Sequence, residues 1–430
     1  MTTTLIQQVH PLGGDAVDVL ITDAVISQIA PSIDVDADVV IDGTGLIGLP
    51  GLVDLHTHLR EPGREDAETI ETGSRAAALG GYTAVYAMAN TDPVADTAGV
   101  VEQVYNTGRE IGLVDVIPVG AVTVGLGGQQ LAELGAMADS AAHVRVFSDD
   151  GVCVSDPSLM RRALEYVKAF DGVIAQHAEE PRLTVGAQMN ESELSGKLGL
   201  TGWPAVAEES IIARDCLLAE HVGSRLHICH LSTAGSVEII RWAKSRGVNV
   251  TAEVTPHHLL LTEQLAETYD PIYKVNPPLR RAEDVDALRA ALKDGTIDIV
   301  ATDHAPHAAE DKQCEWSAAR PGMLGLEQAL SITVMTLSNE AGEVDWERVA
   351  AVTSTGAARI GRLAEHGQGI VAGAPANITL LDPTTSVVVS GAQLASKSYN
   401  TPYEGLELPG RVKYTLLRGE LTVKNGQAVR

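Results

Sequence analysis

The residues best equipped for chemistry lie in Gly51-Leu52-Val53-Asp54-Leu55-His56-Thr57-His58-Leu59-Arg60, a short apolar run ending in His-x-His and an arginine. On an extended strand, side chains two apart share a face, so His56 and His58 can reach one metal ion together. Thirteen histidines in 430 residues give about 0.4 His-x-His pairs by chance, so the motif alone decides nothing. Its weight depends on where the other metal-competent residues fall.

The elements that must position them come next. From Gly51 onward, short apolar runs alternate with helix-length amphipathic stretches. Strands are predicted at residues 52–55, 83–89, 115–119, 144–147, 173–176, 225–229, 248–254 and 297–301. Apolar residues at helical spacing mark 68–79, 159–170, 208–221, 236–245 and 282–292 as crossover helices. Eight such repeats predict an α/β chain with a parallel (β/α)8 TIM barrel over residues 51–362. An open doubly wound sheet fits less well, because no glycine-rich dinucleotide loop follows the first strand. The two ends of the chain read differently. Short strands separated by turns are predicted at 18–22, 24–29 and 38–42, then at 378–381, 386–389, 411–417 and 420–424. The expectation is one small β-sandwich-like domain formed jointly by residues 1–50 and 363–430.

In a barrel of this kind, reactive side chains sit at the C-terminal strand ends. The predicted strands run into His56 and His58, Asn90, Ser148-Asp149-Asp150-Gly151, His177, His230 and Thr302-Asp303-His304. Six of the eight strand ends thus carry a metal-competent or amide side chain, which scattered core histidines do not produce. Nitrogen and oxygen ligands without thiolates favour zinc, with manganese, cobalt or iron chemically allowed. Four histidines and two aspartates exceed what one tetrahedral ion needs. The surplus predicts two ions sharing a carboxylate and a bridging hydroxide, which lower the pKa of bound water and polarise a carbonyl. Arg60 can face the same mouth and offers a planar fork for a substrate carboxylate. His10, His143, His221 and His227 read as ordinary structural residues, and His257 and His258 as supports. His304 reads as bracing its loop, Asp149 as a cap or loop residue, and Cys229 as packing away from the site. The role of Asp54 stays open.

Composition excludes several classes. A formal charge of −26 argues against nucleic acid or an anionic membrane as partner, and means that an anionic substrate needs a local cationic pocket. The four cysteines form no CxxC pair or dense framework, as expected of reduced thiols in the cytoplasm. No basic and apolar leader opens the sequence, and no apolar run approaches membrane-spanning length.

These stretches carry a specific resemblance: Asp54-Leu-His-Thr-His-Leu-Arg-Glu-Pro-Gly63, Met88-Ala-Asn-Thr-Asp-Pro93, Ser148-Asp-Asp-Gly151, Gln176-His-Ala-Glu-Glu180, His230-Leu-Ser-Thr233, Glu253-Val-Thr-Pro-His-His-Leu259, Lys274-Val-Asn-Pro-Pro-Leu279 and Thr302-Asp-His-Ala-Pro-His307. The sequence resembles the amidohydrolase superfamily and, within it, the dihydroorotase family of the long bacterial type. That resemblance implies interconversion of N-carbamoyl-L-aspartate and L-dihydroorotate, the ring-closing step of pyrimidine (UMP) synthesis. It implies His56, His58 and Asp303 around a first zinc, His177 and His230 on a second, and Asp150 between them. No lysine stands where many superfamily members bridge their metals with a carboxylated one. Asp303 is implied as the general base and acid. Substrate contacts are implied at His58, Arg60, Asn90, Asn276 and His307 and at the backbone of Pro321 and Gly322, with 308–323 as the active-site loop. Relatives often carry Phe-Gly where this chain has Pro321-Gly322. A homodimer and association with aspartate transcarbamoylase are the implied partners. Two rival readings are a hydantoinase- or allantoinase-type cyclic amidohydrolase and a non-catalytic scaffold barrel, which would have lost metal ligands.

Overall fold

The computed structural model describes residues 2–429. Eight short strands form its centre: β1 (Leu52–Thr57), β2 (Tyr82–Ala87), β3 (Asp115–Pro118), β4 (Val146–Phe147), β5 (Val173–Gln176), β6 (Leu226–Ile228), β7 (Val250–Val254) and β8 (Ile299–Val300). β1 to β3 pair in parallel, and so do β4 to β8. Parallel bridges Gly120–Phe147 and Thr57–His304 join the two groups at both seams, closing the sheet into a barrel. The sequence predicts longer runs at 225–229 and 297–301. The ladder stops earlier because His230 (φ 31°) and Asp303 (φ 46°) turn the chain out of the sheet.

Crossover helices follow the strands, among them Ile70–Leu79, Pro157–Val167, Ala205–Val222, Ala234–Ser245 and Ala282–Asp294. Their ends are set locally. Thr69 accepts a hydrogen bond from Thr72 N, and Asp156 accepts one from Leu159 N ahead of a proline at the first helical turn. Gly223, at φ 67°, ends the longest helix in the left-handed conformation that a side chain disfavours. The apolar faces bury Leu164, Ile212, Ile240 and Leu288 against Ile174, Leu226, Ile228 and Val254 of the strands. Each such fully buried aliphatic side chain contributes about 1.5–3 kcal/mol. Val53, Leu55, Ala84 and Tyr86 pack instead with Ala357 and Ile360 of the helix Gly356–Gly361.

Both chain ends join one nine-stranded sheet. Ile47–Pro50 lies antiparallel to Ile378–Val388 with Leu49 opposite Thr379, so N-terminal and C-terminal strands share hydrogen bonds. Ile6, Val19, Ile21, Ile41, Leu380 and Leu416 form its apolar core. The strand Thr3–Pro11 is absent from the sequence reading because Gln8, at φ 54°, makes a bulge that breaks the alternation. Among the described residues, no helix is long and apolar enough to cross a membrane.

Candidate metal centre and active site

The predicted ligands meet at the C-terminal mouth of the barrel. His56 Nε2, His58 Nε2, Asp150 and Asp303 form one group of potential ligand atoms within 4.8 Å of one another; Asp150, His177 and His230 form a second. Asp150 divides its two oxygens between them. Its Oδ2 lies 3.4 Å from His56 Nε2 and 3.3 Å from His58 Nε2, and its Oδ1 lies 3.3 Å from both His177 Nδ1 and His230 Nε2. Asp303 Oδ1 stands 3.1 Å from His58 Nε2 and 3.4 Å from His56 Nε2. All six side chains are buried.

The ring orientations come from the outer nitrogens. His56 Nδ1 donates to Glu253 Oε1 at 2.7 Å, His58 Nδ1 to Asn90 Oδ1 at 3.0 Å, and His177 Nε2 to Glu179 Oε2 at 3.0 Å. A proton fixed on the outer nitrogen leaves the inner lone pair for a cation. Three site residues, Arg60 (φ 62°), His230 and Asp303, adopt the left-handed backbone that costs a non-glycine residue energy. Asp54 settles into a structural place: it accepts from His56 N and Thr302 N, both at 3.1 Å, and so ties β1 to β8. Burial pushes its carboxyl up to about 7.

The electrostatics favour positive charge. Burial opposes ionisation of the rings, but the carboxylates outweigh it: His56 and His58 are raised, and His177 is raised to about 10. Burial likewise works against the ionised aspartates, yet His56 and its neighbours hold Asp150 and Asp303 below the ordinary carboxylate range. The donor set fits a pair of divalent metal ions. It is all nitrogen and oxygen, it falls into two groups sharing one carboxylate, and it includes the buried His56 Nε2, which makes no hydrogen bond.

Arg60 is close by, its Nε donating to Pro306 O at 3.1 Å; burial, then the nearby Arg64, lower its guanidinium to about 10, still charged at neutral pH. Asn90 does more than the sequence suggests, since it also donates through Nδ2 to Asp150 O at 3.2 Å. His307 donates through Nε2 to Pro321 O at 2.8 Å, while its Nδ1 is buried without a hydrogen bond. Gly322 follows at φ 146°, and a Cβ there would lie 2.6 Å from His307 Nε2, so the loop can pass only as glycine. Asn276 keeps its Oδ1 buried and unbonded.

The structure also assigns the bystanders. His304 accepts from Gly325 N at 3.2 Å and faces Glu68 at 3.3 Å, bracing its loop. Asp149 accepts from Val122 N and Thr123 N, as expected of a loop residue. Cys229 differs from expectation. It sits in a cluster with His56 and Glu253, because Cys229 keeps the inward face that it shares with His227, and the left-handed turn at His230 brings the next side chain inward as well. Glu253 was missed. It bonds His56, His227 Nε2 at 2.9 Å and His230 N at 3.3 Å, and the one available signal was a carboxylate inside the apolar strand β7.

A closed barrel with paired imidazole and carboxylate groups at its C-terminal rim defines a metal-dependent hydrolase of the amidohydrolase kind. The dihydro-orotase-like family model matches residues 45–236. The dihydroorotase of Streptomyces coelicolor is 64% identical over 99% of this chain and 100% of its own length. That of Mycobacterium tuberculosis is 58% identical over 99% of each. The chain belongs to the dihydroorotase family. Among solved structures, an L-hydantoinase from Arthrobacter aurescens superposes with a TM-score of 0.88 at 26% identity, covering 100% of this chain and 98% of its own. A dihydropyrimidinase from Brevibacillus agri, at 24% identity and a TM-score of 0.85 over 100% and 96%, shares the fold. The family and the ligand cluster together imply a metal cofactor.

Proposed function

We propose that this chain is a dihydroorotase, a cyclic amide hydrolase that reversibly converts N-carbamoyl-L-aspartate to L-dihydroorotate and water in pyrimidine biosynthesis. The observation that carries the reading is the division of Asp150 between two imidazole pairs, with Asp303 beside the first. His56, His58 and Asp303 would hold one zinc ion, His177 and His230 a second, and Asp150 both. When bound, the ions supply an activated water and a Lewis acid for the amide carbonyl.

The chain's own residues do the rest. Asp303 meets His58 and His56 through Oδ1, and a carboxylate has a second oxygen, so one group can serve the site and carry a proton. In ring opening Asp303 accepts the proton of the attacking water and delivers it to the departing ring nitrogen; in ring closure it moves the proton the other way. The Arg60 guanidinium binds the substrate carboxylate against the repulsion of a chain with 57 acidic and 31 basic residues, with Asn90 and His307 lining the same pocket. The free Asn276 Oδ1 accepts from an amide N–H of the substrate, and the Pro321-Gly322 backbone closes the pocket. His58, two residues before Arg60, would hold the cation at the edge of the substrate pocket.

Hydantoinases share the fold, but their similarity is far lower than that of the dihydroorotases. Purified protein should open dihydroorotate and contain two zinc ions per chain. Turnover of hydantoin with no turnover of dihydroorotate would reverse the preference. A scaffold role is disfavoured because every ligand position is filled. We further assign the barrel to residues 51–362 and the composite domain to 1–50 and 363–430. A cytoplasmic homodimer, able to associate with aspartate transcarbamoylase, is the assembly this reading carries.

A further inference from the structure

The segment after the long strand Ile378–Val388 leaves the terminal sheet and crosses to the barrel mouth. Ala395 N donates to Glu327 at 2.8 Å, Lys397 N to Glu68 Oε1 at 2.9 Å, and Ser398 Oγ to Ala67 O at 2.6 Å. Ser396 also bonds Glu68. Glu68 follows β1, and the crossing ends on the loop that follows β8.

Asn400 makes that last contact and uses both polar groups of its side chain. Its Oδ1 accepts from His307 N at 3.1 Å, and its Nδ2 donates to Ala305 O at 2.9 Å and Gly322 O at 3.2 Å. Its backbone O accepts from Leu324 N at 3.1 Å. The side chain is only 3% exposed. One carboxamide therefore ties His307, on the near side of the 308–323 loop, to Gly322 on the far side. It adds to the bonds that already cross the base of that loop, His307 Nε2 to Pro321 O and Ala305 N to Met323 O, both at 2.8 Å, and it comes from a distant part of the chain, as the 78-residue separation from Gly322 shows.

We infer that Asn400 is a positioning residue for the substrate pocket: it holds His307 and Gly322 in register from the C-terminal segment without touching the metal ligands. The inference rests on the reading of His307 and Gly322 as substrate contacts. Removing the carboxamide leaves His307 N and the Ala305 and Gly322 carbonyls without this partner, and buried polar groups left unpaired destabilise the backbone that carries them. Losing the carboxamide releases the loop while the His56, His58, Asp150, His177, His230 and Asp303 cluster keeps its own bonds.

The test pairs Asn400→Ala with Asn400→Asp. Asp keeps the acceptor for His307 N but replaces the donor to Ala305 O and Gly322 O with negative charge. Each variant is measured for dihydroorotate kinetics, zinc content and hydrogen exchange of residues 305–324. The expected result is a rise of at least tenfold in KM with kcat within about threefold of the parent, unchanged zinc, and faster exchange confined to 305–324. Wild-type KM and exchange would overturn the assignment, as would a fall in kcat that tracks zinc loss. If the parent protein fails to open dihydroorotate, the functional reading falls, while exchange still decides whether Asn400 holds the loop. Should Asn400→Ala not fold, Asn400→Asp carries the same comparison.

Discussion

The barrel has a histidine–carboxylate cluster at each end, and they are built on opposite rules. At the mouth, His56, His58, His177 and His230 direct a ring nitrogen toward Asp150, and His56 Nε2 is buried with no hydrogen bond. At the floor, His366 is satisfied on both sides: Nε2 donates to Asp115 Oδ2 at 2.7 Å, and Nδ1 pairs with Thr83 Oγ1 at 3.0 Å. Arg418 then grips Asp115 with two bonds of 2.6 and 2.9 Å. Residue types are nearly the same in both places. What separates a ligand site from a structural clamp is where the inward nitrogens point: at the mouth they converge on one another and on Asp150 and Asp303, with His56 Nε2 making no hydrogen bond, whereas at the floor both nitrogens of the single His366 are taken by outside partners. The floor cluster joins β3 to the terminal sheet; the mouth cluster gathers carboxylates that favour positive charge among the imidazoles.

The sharpest way to break this comparison is at Asp303. Asp303→Asn preserves shape and the contact with His58 but removes the proton carrier. Turnover of dihydroorotate should fall by about 10³-fold or more, with an unchanged circular dichroism spectrum. Near-normal turnover would sink the acid–base assignment. The next largest contrast is metal content. His230→Ala should drop zinc from two ions per chain to about one, whereas His366→Ala should leave it at two. Equal zinc loss in both variants would show that the two clusters do not differ as argued.

Much of the mouth was legible because strand ends are read directly from sequence: an apolar run followed by His, Asp or Asn predicts both the barrel and its rim. Short strand-like runs set off by turn residues also predict the terminal strands 18–22 and 420–424. The rest depends on backbone conformations that no local pattern announces. Left-handed turns at His230 and Asp303 shorten β6 and β8, and the first brings His230 inward beside an already inward Cys229. Glu253 was hidden because a lone carboxylate in an apolar strand looks like an edge residue until two histidines are seen to share it. Asn400 was hidden for another reason. Its partners are distant in sequence, and it lies between the predicted strands 386–389 and 411–417, where the sequence predicts no element or site residue.

A smaller effect is expected from Arg60→Ala. A charge-assisted bond to a carboxylate is worth about 1.5–3 kcal/mol, so KM should rise roughly 10- to 100-fold with kcat little changed. Salt should weaken substrate binding by the parent more than by the variant, because the screened attraction is gone. Unchanged saturation behaviour would remove Arg60 from the pocket.

The smallest effect belongs to the floor and reads out in stability instead of turnover. Burial alone would raise the Asp115 carboxyl, but His366 and Arg418 outweigh it and lower it from 3.8 to about 2. The sign follows from linkage: a carboxyl depressed in the folded state stabilises above its unfolded value and loses that contribution as pH falls through the folded one. The side chain is 21% exposed, so little is lost to solvent screening, and the difference is worth about 2 kcal/mol. Asp115→Asn should therefore unfold in urea with about 2 kcal/mol less stability at pH 7. The gap between parent and variant should narrow between pH 4 and about pH 2, and zinc content at pH 7 should be the same in both. A gap that stayed constant down to pH 2 would mean that packing around Asp115, not its charge, holds the sheet to the barrel floor.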